Sequence, residues 1–191
     1  MVRIRNASLP DVKQIYALMK PHYRDGTLLP RDIPELCENI RDFTVAEYQG
    51  EITGCGALHL YGLHLAEIRS VAVQPQAQGL GTGRLLVSAL LKEAERHKVA
   101  CVCVFTRIPE FFSCAGFSVV SHDALPDKIY KDCIHCQRLG ACDEVAMVRG
   151  QIPVSLNREP EESRCICGQG YRGGTGSGTL NVVPVDEAWG S

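Results

Sequence analysis

The chain has 191 residues, 45% hydrophobic and 22% charged, with 20 Lys and Arg against 22 Asp and Glu and a formal charge of −2. That length suits one domain with an appendage, and the apolar fraction excludes global disorder. The balanced charge excludes the positive field that holds a nucleic-acid backbone, and no apolar run nears the roughly 20 residues needed to cross a bilayer.

The chain opens at Met1-Val2-Arg3-Ile4-Arg5, which reads as a strand over residues 2–5 and not as a signal peptide. A cytoplasmic protein is the expectation. Ser8-x-x-Asp11 then resembles a helix cap, and Val12, Ile15, Leu18 and Met19 share one face of the helix it starts. A second, shorter helix follows Pro34 through Leu36 and Ile40. Three strand-like runs come next: Phe43 to Tyr48, Glu51 to Tyr61 and Ala66 to Val73, the first two joined by the tight turn Gln49-Gly50. Leu85, Leu86, Ala89, Leu90 and Ala94 form a helical stripe reaching about His97. A buried strand at Val99 to Thr106, a short helix near Pro109 to Cys114, and strands at Phe117 to Val120 and Glu144 to Arg149 complete the order.

Composition changes after Arg149. Residues 150–191 have no apolar periodicity, crowd six glycines between Gly168 and Gly178, and carry three arginines against five acids, which is the whole net charge. Residues 1–149 are therefore read as the folded domain and residues 150–191 as a disordered tail. Gly168-Gln-Gly170-Tyr-Arg-Gly173 in that tail fits a dinucleotide-binding pattern literally, but no strand precedes it and no helix can follow.

The run Gln78-Gly79-Leu80-Gly81-Thr82-Gly83-Arg84 lies between an apolar strand and an amphipathic helix. Small residues there let backbone N–H groups approach an anion, and the helix adds the positive end of its dipole. A pyrophosphate fits, although the run is neither a Walker loop nor a dinucleotide fingerprint. The alternative is a flexible strand-to-helix turn.

In that setting Gln78-x-x-Gly81-x-Gly83 resembles the Gln/Arg-x-x-Gly-x-Gly/Ala signature of the GCN5-related N-acetyltransferases. The strand Ala66-Glu67-Ile68-Arg69-Ser70-Val71-Ala72-Val73 and the run Phe111-Phe112-Ser113-Cys114-Ala115-Gly116-Phe117 are similar to that family's acetyl-CoA strand and its later Gly-Phe. Within the family, Leu29-Pro30-Arg31, Phe43-Thr44-Val45-Ala46-Glu47, Thr106-Arg107-Ile108-Pro109-Glu110 and Leu125-Pro126 leading into Asp143-Glu144-Val145-Ala146-Met147 resemble the transferase domain of N-acetylglutamate synthases, in particular short bacterial forms. The resemblance implies an α/β fold: a mixed, mostly antiparallel sheet, splayed at the acetyl-CoA strand, with helices on both faces. It implies acetyl-CoA as co-substrate, the backbone of Val71, Ala72 and Val73 pairing with the pantetheine arm, and Gln78, Gly79, Leu80, Gly81, Thr82, Gly83 and Arg84 around the pyrophosphate. It also implies transfer of acetyl to the α-amino group of L-glutamate, the entry step of arginine biosynthesis. Because the chain starts at the first transferase strand, arginine feedback through an amino-acid-kinase-like domain is not expected. Transfer to another amino acid or small amine, and a non-catalytic acetyl-CoA-binding module, are the alternatives; a homodimer is compatible with the sequence.

Acetyl transfer requires a neutral amine, a polarised thioester carbonyl and a proton path for the thiolate. Glu67 is the candidate base, against a strand glutamate facing solvent or paired with Arg69; His59 and His64 are its rivals. Where many family members carry a tyrosine as acid, Phe112 stands, so the thiolate leaves unassisted or another group serves. A dicarboxylate acceptor needs fixed cations, and Arg31 and Arg107 are the candidates, against arginines in ordinary ion pairs.

Ten cysteines in such a chain read as reduced thiols or a metal site. Cys55, Cys101 and Cys103 have apolar strand-like surroundings and Cys37 lies on the second helix, so buried thiols are expected, and the Gly-Phe context of Cys114 suggests packing. Cys133-Ile-His135-Cys136 and Cys142 offer enough soft ligands for a structural zinc, the alternative being free thiols in an irregular connection, and Cys165 and Cys167 are a weaker ligand source.

Overall fold

In a computed structural model of the chain the described residues are 1–24, 26–125, 133 and 141–152. Of the tail expected over residues 150–191, only residues 150–152 are among them, and Gly150 is the last residue of the final strand. The elements are β1 (Arg3–Asn6), α1 (Val12–Arg24), α2 (Ile33–Glu38), β2 (Phe43–Tyr48), β3 (Glu51–Leu60), β4 (Leu65–Val73), α3 (Thr82–Arg96), β5 (Cys101–Thr106), α4 (Pro109–Ser113), β6 (Ser118–Val119) and β7 (Val145–Gly150). They follow the order expected from the sequence. The cap at Ser8 opens a 3-10 turn, Leu9–Asp11, that runs into α1, and the strand expected at 117–120 shortens to β6.

The sheet has seven strands in the order β1-β2-β3-β4-β5-β7-β6. Every neighbouring pair is antiparallel except β4 and β5, which are parallel. Gln49 and Gly50 both have positive φ, 52° and 83°, as the twist-matched two-residue hairpin between β2 and β3 requires.

Alternation along the strands sorts side chains to two faces. Leu58, Ala66, Ile68, Val102, Val104 and Met147 pack with Val87, Leu90, Leu91 and Ala94 of α3 and Phe112 of α4. The other face carries two separate clusters. One joins Val45, Cys55, Ala57 and Ala72 to Ile15 and Met19 of α1 and Leu36 of α2; the other joins Leu65, Cys101, Cys103, Ala146, Val148 and Leu125. Close seating of α3 depends on Gly54 of β3, where a Cβ would lie 2.9 Å from Leu86 Cδ1 and 3.3 Å from the Ala72 carbonyl oxygen.

Two irregularities shape the middle of the sheet. In the β3–β4 register Cys55 faces Ala72 and Ala57 faces Arg69, so Gly56 opposes both Ser70 and Val71 in a β-bulge. Ser70 takes a left-handed φ of 56°, which costs a non-glycine residue of order 1 kcal/mol, and the Cys55 thiol reaches its carbonyl oxygen at 3.6 Å. Parallel pairing of β4 with β5 covers only Leu65–Glu67 against Cys101–Cys103, although β4 runs on to Val73 and β5 to Thr106. The sheet is splayed there, as expected. Among the described residues no helix is long and apolar enough to cross a membrane.

Candidate active site

On the face with two apolar clusters, the space between them is polar. His59 and Glu67 are direct cross-strand partners, so their side chains lie on one face, and Glu67 also pairs with Cys103 at the last registered position before the splay. Glu67 is 3% exposed. The Tyr61 hydroxyl donates to Glu67 Oε2 at 2.7 Å, satisfying one oxygen of a carboxylate that burial would otherwise penalise. His59 Nδ1 lies 3.2 Å from Asp42 Oδ2, and its ring meets Tyr61 edge-to-face with centroids 5.0 Å apart. The Tyr61 amide donates to the Leu65 carbonyl at 3.0 Å, closing the hairpin that carries the phenol to Glu67. His64 is exposed in that hairpin.

The glycine turn follows β4. Gly79 and Gly81 have φ of 73° and 85°, and Gly81 is the N-cap of α3, a conformation open to glycine at little cost. The first helical hydrogen bond runs from the Leu85 amide to the Gly81 carbonyl at 3.0 Å, so the amides before it have no acceptor inside the helix. Several N–H groups and the positive end of a four-turn helix therefore converge on exposed backbone, a donor set that fits a diphosphate. Gln78 is engaged differently: its Nε2 donates to the Val73 carbonyl at 3.0 Å and ties the turn to the end of β4. Thr82 is buried, while Leu80 and Arg84 are exposed. Val71, Ala72 and Val73 lie past the last β4–β5 pair, beside the splay.

Both candidate acceptor arginines are paired. Arg31, just ahead of α2, binds Glu35 in its first turn. Arg107 makes a two-pronged contact with Asp143, 2.8 Å on each prong, and donates to the Gly26 carbonyl at 2.9 Å; the Asp143 carboxylate holds its pKa above the ordinary arginine value. Phe112 is buried against Phe111 and Phe117 in edge-to-face contacts and has no proton to give.

Cys55, Cys101 and Cys103 are buried as expected, whereas Cys37 is only half-buried on α2, and burial pushes the Cys55 thiol up to about 12. Cys114 corrects the expectation of packing: α4 ends at Ser113, and Cys114, its C-cap, is exposed. Of the proposed zinc ligands, His135 and Cys136 lie outside the described residues, as do Cys165 and Cys167.

The acetyltransferase (GNAT) family model matches residues 9–115, which span α1 to α4 and both halves of the site. The chain belongs to this family. It is an acetyl-CoA-dependent N-acetyltransferase, similar at 38% identity to an uncharacterized N-acetyltransferase of Chlorobaculum tepidum, over 76% of this chain and 94% of that one. An amino-acid acetyltransferase of Mycobacterium tuberculosis is 31% identical over 74% of this chain and 80% of its own length. Among solved structures, N-acetylglutamate synthase of Neisseria gonorrhoeae, complexed with coenzyme A and N-acetyl-glutamate, is similar at a TM-score of 0.72 and 31% identity. That match covers 78% of this chain and 35% of the synthase, so the chain spans about a third of that enzyme. The transferase is thus of the amino-acid N-acetyltransferase kind.

Proposed function

We propose that the enzyme transfers the acetyl group of acetyl-CoA to the α-amino group of L-glutamate, as a cytoplasmic enzyme at the entry to arginine biosynthesis, with residues 1–149 as the catalytic domain and the rest as a tail. The observation that carries the chemistry is the buried Glu67, held by Tyr61 at the point where β4 and β5 part. A thioester lying along Val71 to Val73 with its diphosphate on the glycine turn brings its carbonyl toward that end of β4. Glu67 then takes the ammonium proton directly or through one water, within the reach a general base requires. With Phe112 unable to donate, the thiolate departs and is protonated afterwards, which is tolerable for a group whose thiol pKa is near 8.5. Arg31 and Arg107 supply the cations for an acceptor with two carboxylates, which would exchange with Glu35 and Asp143. Relatives with amino-acid acetyltransferase and N-acetylglutamate synthase names support this acceptor.

A second reading, an amino acid without a side-chain carboxylate, is favoured by one observation: both arginines already have carboxylate partners. Release of CoA thiol from acetyl-CoA across a panel of amino acids separates the two. Turnover with glutamate well above all others is expected; a glutamate rate equal to the no-acceptor background overturns the acceptor assignment and leaves the family intact.

A further inference from the structure

Arg84, in the first turn of α3, and Arg149, near the end of β7, line one cavity of about 290 Å³ between α3 and α4, together with Ser88, Phe111 and Cys114. No aspartate or glutamate lines it among the described residues. Arg149 Nη1 donates to the Ala115 carbonyl at 2.8 Å, which fixes the guanidinium over the end of α4 and leaves its other N–H groups available. Among the described residues neither Arg84 nor Arg149 has a carboxylate partner, whereas Arg5, Arg31 and Arg107 each have one. Two cations facing one cavity without a counter-charge favour an anion between them.

The position of the cavity narrows the choice of anion. Arg84 belongs both to this cavity and to the glycine turn, so a ligand whose diphosphate rests on the turn extends directly into the cavity. At about 290 Å³ it lies at the lower limit of ligand pockets and takes one end of a large ligand. We propose that it binds the 3′-phosphate at the adenosine end of coenzyme A, so that the enzyme distinguishes acetyl-CoA from its 3′-dephospho form. The guanidinium forks of Arg84 and Arg149 match the oxygens of a phosphomonoester, with the Ser88 hydroxyl as a further donor. This rests on the reading that the turn at Gln78 to Arg84 holds the diphosphate.

Calorimetric titration with CoA and with 3′-dephospho-CoA tests the inference without an acceptor. Wild-type protein binds CoA at least about tenfold more tightly, the scale of one or two charge-assisted hydrogen bonds, and the preference shrinks as salt is raised. Arg149→Met loses about tenfold for CoA and keeps its affinity for 3′-dephospho-CoA, which also demonstrates that the variant is folded; Arg149→Glu loses more for CoA alone. Equal wild-type affinities, or equal losses for both thiols in Arg149→Met, overturn the 3′-phosphate site while leaving the diphosphate reading standing. Failure of both thiols to bind overturns both readings.

Discussion

The strand β4 has two neighbours and treats them differently. Its antiparallel register with β3 runs from Ala66 to Val73, interrupted by the bulge at Ser70, whereas its parallel register with β5 ends after three residues. On the paired side, Arg5 ties the sheet edge together by binding Asp11 through two nitrogens and Glu47 through a third. At the parted end stand Glu67, Tyr61 and Arg107, buried or half-buried polar groups of kinds that a packed sheet would otherwise exclude. On the proposed mechanism the same fold uses charge twice: as a fastener where strands pair fully, and as chemistry where pairing stops. Substitutions on the two sides should separate stability from turnover.

The largest effect belongs to the parted end. Glu67→Gln keeps shape and burial but cannot take a proton, so kcat should fall by about 10²–10⁴-fold, the usual contribution of a positioned base, with CoA affinity unchanged. A wild-type rate and pH profile in that variant would remove Glu67 as base. The paired side gives the next effect, in stability and not in rate. Asp11 is 9% exposed and Arg5 25%, so Asp11→Asn should cost about 2–3 kcal/mol, less than a fully buried pair. The hydrogen bonds from Arg5 hold the Asp11 carboxyl well below its usual range, with desolvation opposing them and Ser8 assisting. Because the folded-state pKa is depressed, this stabilisation is complete above the unfolded value of about 3.9 and is lost as pH falls through the folded value. In urea unfolding, the gap between wild type and Asp11→Asn should be flat from pH 7 to 5 and close below pH 4; a gap that widens on acidification contradicts the assignment.

Much of this was legible in the sequence because it is local or periodic. The glycine turn announces itself between a strand and a helical stripe, and the facing apolar positions of α1 and α3 follow from their periodicity. Other features depend on register. His59 and Tyr61 share a face by alternation, yet that Tyr61 reaches Glu67 follows from how the hairpin closes between Tyr61 and Leu65. Asp143 lies 36 residues from Arg107, across a connection whose composition does not fix its path. Cys114 was misread because its Gly-Phe neighbours suggested packing, while the shortness of α4 leaves it at the mouth of a cavity.

Arg107 sharpens the comparison from within the parted end. It resembles Arg5 in holding an aspartate two-pronged, but Asp143 is 54% exposed against 9% for Asp11, so the Arg107 pair is far more open to exchange with a substrate carboxylate. Arg107→Ala should therefore raise the KM for glutamate about tenfold and move that for acetyl-CoA little. Equal increases in both would assign Arg107 to folding, since it also braces the Gly26 carbonyl.

Tyr61→Phe is the mildest change and the most discriminating. It removes one oxygen atom and leaves the ring that meets His59 edge-on, so the hairpin keeps its packing. What is lost is the donor to Glu67 Oε2, one charge-assisted hydrogen bond, which on the proposed mechanism aims the other carboxylate oxygen at the acceptor amine. A loss of about three- to tenfold in kcat with both KM values unchanged is expected. In the Glu67→Gln background the same substitution should have much less effect, because no carboxylate remains to be positioned. Additive losses in the double variant would mean that Tyr61 acts on the substrate itself, and the parted end would then have a second reacting group in place of one base and its support.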